Sequence, residues 1–182
     1  IEGQQYYFAV DGFSSSVGDA FIEHNFEAAA QKPTNDDFAD RQLYDTSQSS
    51  LAGTNIGGSR ENDEPVHIGE NEPQSTSWWS FAAPSNSIAS ISTIGSNFDT
   101  VVSVYKGDSL DQLVPVGWSD NGLGSLQSYI EFEAEKGVDY SFAVGGKGFQ
   151  EGQILISVDF DALLTLNEAI EASSDIVFSN SN

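Results

Sequence analysis

The sequence has no cysteine and no methionine, two histidines, and six lysines and arginines against 28 aspartates and glutamates. Each shortage excludes something. Without cysteine there are no disulfides, no thiolate metal sites and no cysteine nucleophile, although the compartment is left undecided. With His24 and His67 as the only imidazoles, and with neither an HExxH pattern nor a cysteine pair, zinc is not expected. A serine nucleophile has no GxSxG elbow to sit on, and neither histidine stands in a pattern that would activate one. Carboxylates abound, but nothing singles out a pair at glycosidase separation. The shortage of positive charge leaves a formal net charge of -22, which repels phosphate backbones and anionic lipid and makes cations the natural partners. No run approaches the roughly 20 apolar residues that span a bilayer. Neither nucleic acid binding nor membrane insertion is expected. The chain starts without Met and without a signal-peptide succession, and reads as a piece of a longer protein.

What is present is an internal repeat. "YYFAVDGF" at residues 6–13 returns as "YSFAVGGK" at 140–147, and a gapless overlay of residues 3–26 on 137–160, a constant offset of 134 (137 − 3), makes nine of 24 positions identical. These include Tyr6/Tyr140, Phe8/Phe142, Val10/Val144, Gly12/Gly146, Gly18/Gly152 and Ile22/Ile156. A repeat of this length divides the chain into units. Residues 1–26 are expected to be the final hairpin of a preceding repeat, 27–160 a complete unit, and 161–182 the start of a following segment. In that last segment Thr165 and Glu168 form a capping-box pattern ahead of a short helix, and "DIVF" suggests a strand.

Within the complete unit, short alternating runs are separated by Gly, Asn, Asp, Pro and Ser clusters. The runs are "SWWSFAA", "SIASIST", "DTVVSVYK", "LVPVGWS", "SYIEFEA", "DYSFAVGG" and "GQILISVDF". Val102 and Val104 fall on one face of their strand, Val101, Ser103 and Tyr105 on the other; Ile130, Phe132 and Ala134 form a dry face opposite Tyr129, Glu131 and Glu133. The expected fold is all-β, an antiparallel, jelly-roll-like sandwich. One or two further strands are expected around residues 38–56, followed by a long loop from about Gly57 to Ser75.

The loops mix carboxylates with Asn and main-chain carbonyls, the hard-oxygen donor set that suits calcium. The candidate metal ligands are Asp36, Asp37, Asp63, Glu64, Asp99, Asp120 and Asn121. Asp36, Asp99 and Asp120 suit Asx-turns equally well. Trp78 and Trp118 are the candidate ligand-binding residues, because an exposed indole stacks on apolar ring faces. Adjacent residues on a strand face opposite ways, so Trp79 is expected inside with Phe81, leaving Trp78 partly exposed or covered by the long loop.

The succession "NDDFADR", "EPVHIGE", "SWWSFAAPSN", "GSNFDTVVSVYKGDSLDQL", "SDNGLGSLQSYIEFEAEKGVDYSFAVGG" and "GQILISVDF" resembles the bacterial pre-peptidase C-terminal domain family over about residues 35–160. "LTLNEAIEASSDIVF" is similar to the opening segment of right-handed β-helix surface proteins, with Asn167 where Arg is usual. The first resemblance implies a secreted or cell-surface β-sandwich with an accessory rather than a catalytic role, in some members calcium-binding and in some polymer-binding. The expected function is a structural, adhesion or matrix module stabilised by calcium, with neighbouring repeats or copies of itself as partners. Two alternatives are an accessory domain binding extracellular polysaccharide or protein polymer beside a hydrolase, and a filament subunit joined by strand addition of residues 1–26.

Overall fold

The computed structural model describes residues 7–14, 16–23, 31–67 and 73–163. Nine strands follow in chain order: β1 (Gln42–Leu43), β2 (Leu51–Thr54), β3 (Thr76–Ala82), β4 (Ser87–Ser92), β5 (Thr100–Lys106), β6 (Val114–Ser119), β7 (Tyr129–Ala134), β8 (Asp139–Gly146) and β9 (Gln153–Ala162). They form a five-stranded sheet in the order β1-β3-β8-β5-β6 and a four-stranded sheet in the order β2-β9-β4-β7. All pairings are antiparallel except the two-residue β1 beside β3. The molecule is an all-β sandwich, and all seven runs from residue 77 to 160 are strands. No helix among the described residues is long and apolar enough to cross a membrane.

Period-two alternation decides which side chains meet between the sheets. From β3 and β8 come Trp79, Phe81, Tyr140, Phe142 and Val144; from β5, Val102 and Val104; from the opposite sheet, Ile91, Ile130, Phe132, Ile154 and Ile156. Trp79 stacks on Phe142 with centroids 5.9 Å apart, and Phe81 stacks on Tyr140 at 5.6 Å. Offset and edge contacts of this kind add to the area that aromatic rings bury.

One end of the sandwich is closed by a polar side chain. Asn55, just after β2, has no exposed surface. Its Oδ1 accepts from the Gly152 N–H at 2.8 Å, and its Nδ2 donates to the carbonyls of Ser75 and Gln150 at 3.1 and 3.2 Å. Asn55 thereby ties the end of the long loop to the β8–β9 connection. Gly152 is confined there, since a Cβ would lie 2.2 Å from Asn97 Oδ1 and 2.5 Å from the Phe98 ring.

The β8–β9 connection crosses from one sheet to the other. The two strands are not hydrogen-bonded to each other: β8 lies between β3 and β5, β9 between β2 and β4. The β8–β9 pair, onto which residues 3–26 align, is thus an arch between sheets and not a hairpin. Residues 7–14 and 16–23 contain no strand and are all exposed. His24 and the helix and strand expected after residue 163 lie outside the described residues.

Candidate functional site

The outer face of the five-stranded sheet carries a second, smaller core. Trp78 alternates away from Trp79 to this face, and so does Tyr105 from Val104, but neither meets water. Phe38, Trp78, Tyr105 and Ala143 pack together, with Leu110 and Leu113 partly buried against them. Two segments supply the cover. Residues 35–40 lie along β3, where Asn35 Nδ2 donates to the Trp78 carbonyl at 2.8 Å and Phe38 meets the indole edge-on at 5.1 Å. Residues 59–67 hold the other side, with the His67 ring 5.4 Å from Trp78. Trp78 is 0% exposed, so the expected surface role does not fall to it.

A buried hydrogen-bond chain fixes this cover. Thr76 Oγ1 donates to Glu64 Oε1 at 2.7 Å, and the Glu61 N–H donates to Glu64 Oε2 at 2.8 Å. His67 Nε2 lies 2.6 Å from Glu64 Oε1, and His67 Nδ1 lies 2.8 Å from the Tyr105 hydroxyl. Burial pushes the Tyr105 hydroxyl up to about 12; in the tautomer that points Nε2–H at the carboxylate, Nδ1 accepts from that hydroxyl. Ser103 Oγ, the serine nearest in this chain of contacts, donates to the His67 carbonyl at 2.9 Å. His67 Nδ1 thus ties the 59–67 segment to β5, while Nε2 braces the segment internally on Glu64, which Thr76 joins to β3.

Beside the covered patch is a hollow of about 300 Å³ whose lining includes Pro65, Val66, Tyr105, Leu113, Pro115 and Trp118. Trp118, on the edge strand β6, is 59% exposed, against 0% for Trp78 and Trp79. The proline and valine of the "EPVHIGE" stretch thus reach the groove because Glu64 and His67 anchor the residues on either side of them. Pro65 and Val66 gave no indication of this role in the sequence.

The acidic candidates divide into two places. Asp36 is buried and already filled: Oδ2 lies 2.7 Å from Lys32 Nζ and accepts from Ser59 Oγ at 2.7 Å, while Oδ1 accepts from the Ser59 N–H at 2.6 Å. Lys32 Nζ also reaches Asp37 Oδ1 at 2.8 Å. Hydrogen bonds to Asp36 and Asp37 hold the lysine well above its usual range. A tethered ammonium and two local donors leave Asp36, like Glu64, without the vacant oxygens that calcium requires, while Asp37 shares the same ammonium through Oδ1. Asp63 is an exposed turn residue with φ +69°. At the ends of β5, β6 and β8 the position differs. Asp99 Oδ1 and Asp120 Oδ1 are buried and unpartnered, with Lys147 Nζ 2.7 Å from Asp120 Oδ2. Burial raises the Asp99 carboxyl above its ordinary value; Lys147 opposes this and Asp120 adds to it. Asn121 is exposed, and its main-chain carbonyl accepts from Ser119 Oγ. Among the described residues no group of three or more His, Asp or Glu is arranged to hold a metal. Asp99 and Asp120 nevertheless each keep one buried bare oxygen, the donor chemistry from which a cation site starts, which Asp36 and Glu64 do not.

No protein-family model matches the chain, and no curated protein matches it. Among solved structures the chain is similar to the pre-peptidase C-terminal domain of a collagenase from Bacillus anthracis, with 14% identity and a TM-score of 0.38 over 65% of this chain and 92% of that one.

Proposed function

We propose that this sandwich is a non-catalytic adhesion module of an extracellular protein, and that the groove beside Trp118 holds an extended, proline-bearing stretch of a protein polymer. The exposure of Trp118 over this groove carries the reading. The groove's polar groups are already used: the Ser103 hydroxyl on the His67 carbonyl, the Tyr105 hydroxyl on His67 Nδ1. Ring faces and methyl groups make up most of what remains for a ligand. That lining suits a proline ring in polyproline II geometry better than a sugar, whose hydroxyls lose water without finding partners. β6 ends its sheet, so its outer edge runs beside the groove for an extended chain to follow. The net charge of -22 favours neutral or basic polymers. Retention on immobilised poly-L-proline or gelatin, lost in Trp118→Ala, is the expected result. Retention on a neutral glycan alone, or retention indifferent to Trp118→Ala, rejects the reading.

Calcium enters this proposal at Asp99 and Asp120. A cation bound only by the folded chain stabilises it by about 2.7 kcal/mol at one hundred times its Kd, and Asp99→Asn is expected to abolish the response. In chelator the same substitution has the opposite value. The folded-state pKa of Asp99 is raised mainly by burial, so its ionisation costs stability above that pKa. The cost disappears as pH falls below the unfolded value. Asp99→Asn should therefore raise the melting midpoint at pH 7 in chelator and leave it unchanged near pH 3. An unchanged midpoint of the parent chain in saturating calcium rejects the cation.

A further inference from the structure

We infer that residues 3–26 correspond to the last two strands of a second sandwich of this fold, with the bend around Gly12 and Ser14 already in place, and that their partner is a sandwich whose own places for these strands are empty. The first support is where the repeat is identical. Of the nine identities, seven fall on residues that are buried in the complete unit: Tyr140, Phe142, Ala143, Val144, Gly146, Gly152 and Ile156. Identity follows burial in the fold, not exposed surface.

The second support is the backbone. Ser14 has φ +61°, and its counterpart 134 residues on, Gly148, has φ +67°. A left-handed serine is uncommon, so this bend is not the default for that sequence. A Cβ on Gly12 would lie 2.0 Å from the Ser16 carbonyl oxygen, and a Cβ on Gly146 would lie 2.0 Å from the Gln150 oxygen. The opening segment therefore turns as the β8–β9 arch turns, at the same positions. Gly18 completes the case. Nothing lies within 4 Å of the place its Cβ would take, whereas the same place at Gly152 is pressed by Asn97 and Phe98. Glycine at position 18 has no local reason, and gains one inside a sandwich.

The same geometry selects the recipient. β8 and β9 are interior strands with a neighbour on each side, so the segment's counterpart places are interior too. Adding to a free sheet edge would satisfy one side of one strand. An intact second copy already fills both places with its own β8 and β9. An incomplete sandwich of the same kind offers both, and covers Phe8 and Ile22, now 71% and 56% exposed, as the complete unit covers their counterparts Phe142 and Ile156.

Grafting tests this directly. In the full chain, residues 137–160 are replaced by a copy of residues 3–26, in one version unaltered and in a second with Asp11→Gly in the transplanted copy. The second version is needed because a Cβ at Gly145, the counterpart of Asp11, would lie 2.4 Å from Pro73 Cβ. At least the second graft should melt in one cooperative transition, with amides of the transplanted strands exchanging about 100-fold or more slowly than residues 7–23 of the parent chain. Failure of both grafts to melt cooperatively, or melting with the transplanted strands unprotected, overturns the assignment. Self-association of the unmodified chain that Phe8→Asp abolishes would place the segment on an intact copy and overturn it equally. Phe8→Asp leaves polymer retention at Trp118 unchanged, so the two readings fail separately.

Discussion

Asn55→Leu is expected to lower the free energy of unfolding by about 3 kcal/mol or more, because each buried polar group stripped of its partner costs about 1 to 3 kcal/mol. Two buried groups lose their partner at once, the Gly152 N–H and the Ser75 carbonyl, together with the partly buried Gln150 carbonyl. Leucine matches the volume but supplies neither donor nor acceptor, and no water reaches a side chain with no exposed surface. A domain of ordinary stability has about 5 to 15 kcal/mol in hand, so this one substitution removes a large share. Urea unfolding gives the number. A loss under about 1 kcal/mol would show that these groups find other partners, and that Asn55 does not hold the arch to the long loop.

The second large effect is a separation between two tryptophans. Trp78→Ala is expected to cost about 3 to 5 kcal/mol, the range for truncating a buried aromatic, since it empties the space that Phe38, His67 and Tyr105 close around. Trp118→Ala is expected to change stability by less than about 0.5 kcal/mol, as for exposed positions generally. Its effect falls on the ligand, where loss of a hot-spot aromatic costs about 2 kcal/mol, roughly a 30-fold weakening. Thermal melting and a binding isotherm on both variants check the pair. Equal destabilisation by the two substitutions, or loss of binding with Trp78→Ala while it remains folded and Trp118→Ala binds normally, would reverse the assignment of roles.

The strands were legible because each carries its own instruction. In "TVVSVYK" and "YIEFEA" the two-residue period names the inward face without reference to anything distant, and Gly, Asn and Asp mark the ends. The opposite facing of Trp78 and Trp79 follows from the same rule. What the period cannot state is whether an outward face is then covered. Trp78 is buried because residues 35–40 and 59–67 fold over β3, a matter of contacts such as Asn35 to Trp78 across 43 positions. Asn55 meets Gly152 across 97 positions and Asp120 meets Lys147 across 27; no local pattern announces such pairs. The acidic loops read alike as cation ligands, yet Lys32 and Ser59 occupy the oxygens of Asp36, while Asp99 and Asp120 each keep one bare oxygen beside Lys147. The repeat was visible as words, but that its second copy, β8 and β9, is an arch rather than a hairpin depends on the two strands lying in different sheets.

Because Trp118 is the exposed one of three tryptophans, its fluorescence reports the groove almost alone. Acrylamide quenching of the chain, titrated with poly-L-proline, is the most direct measurement. The account predicts that the quenchable fraction falls and saturates with the ligand, and that Trp118→Phe lacks this quenchable fraction from the start. Quenching that stays unchanged while the polymer is demonstrably bound would put the ligand elsewhere on the molecule and contradict it.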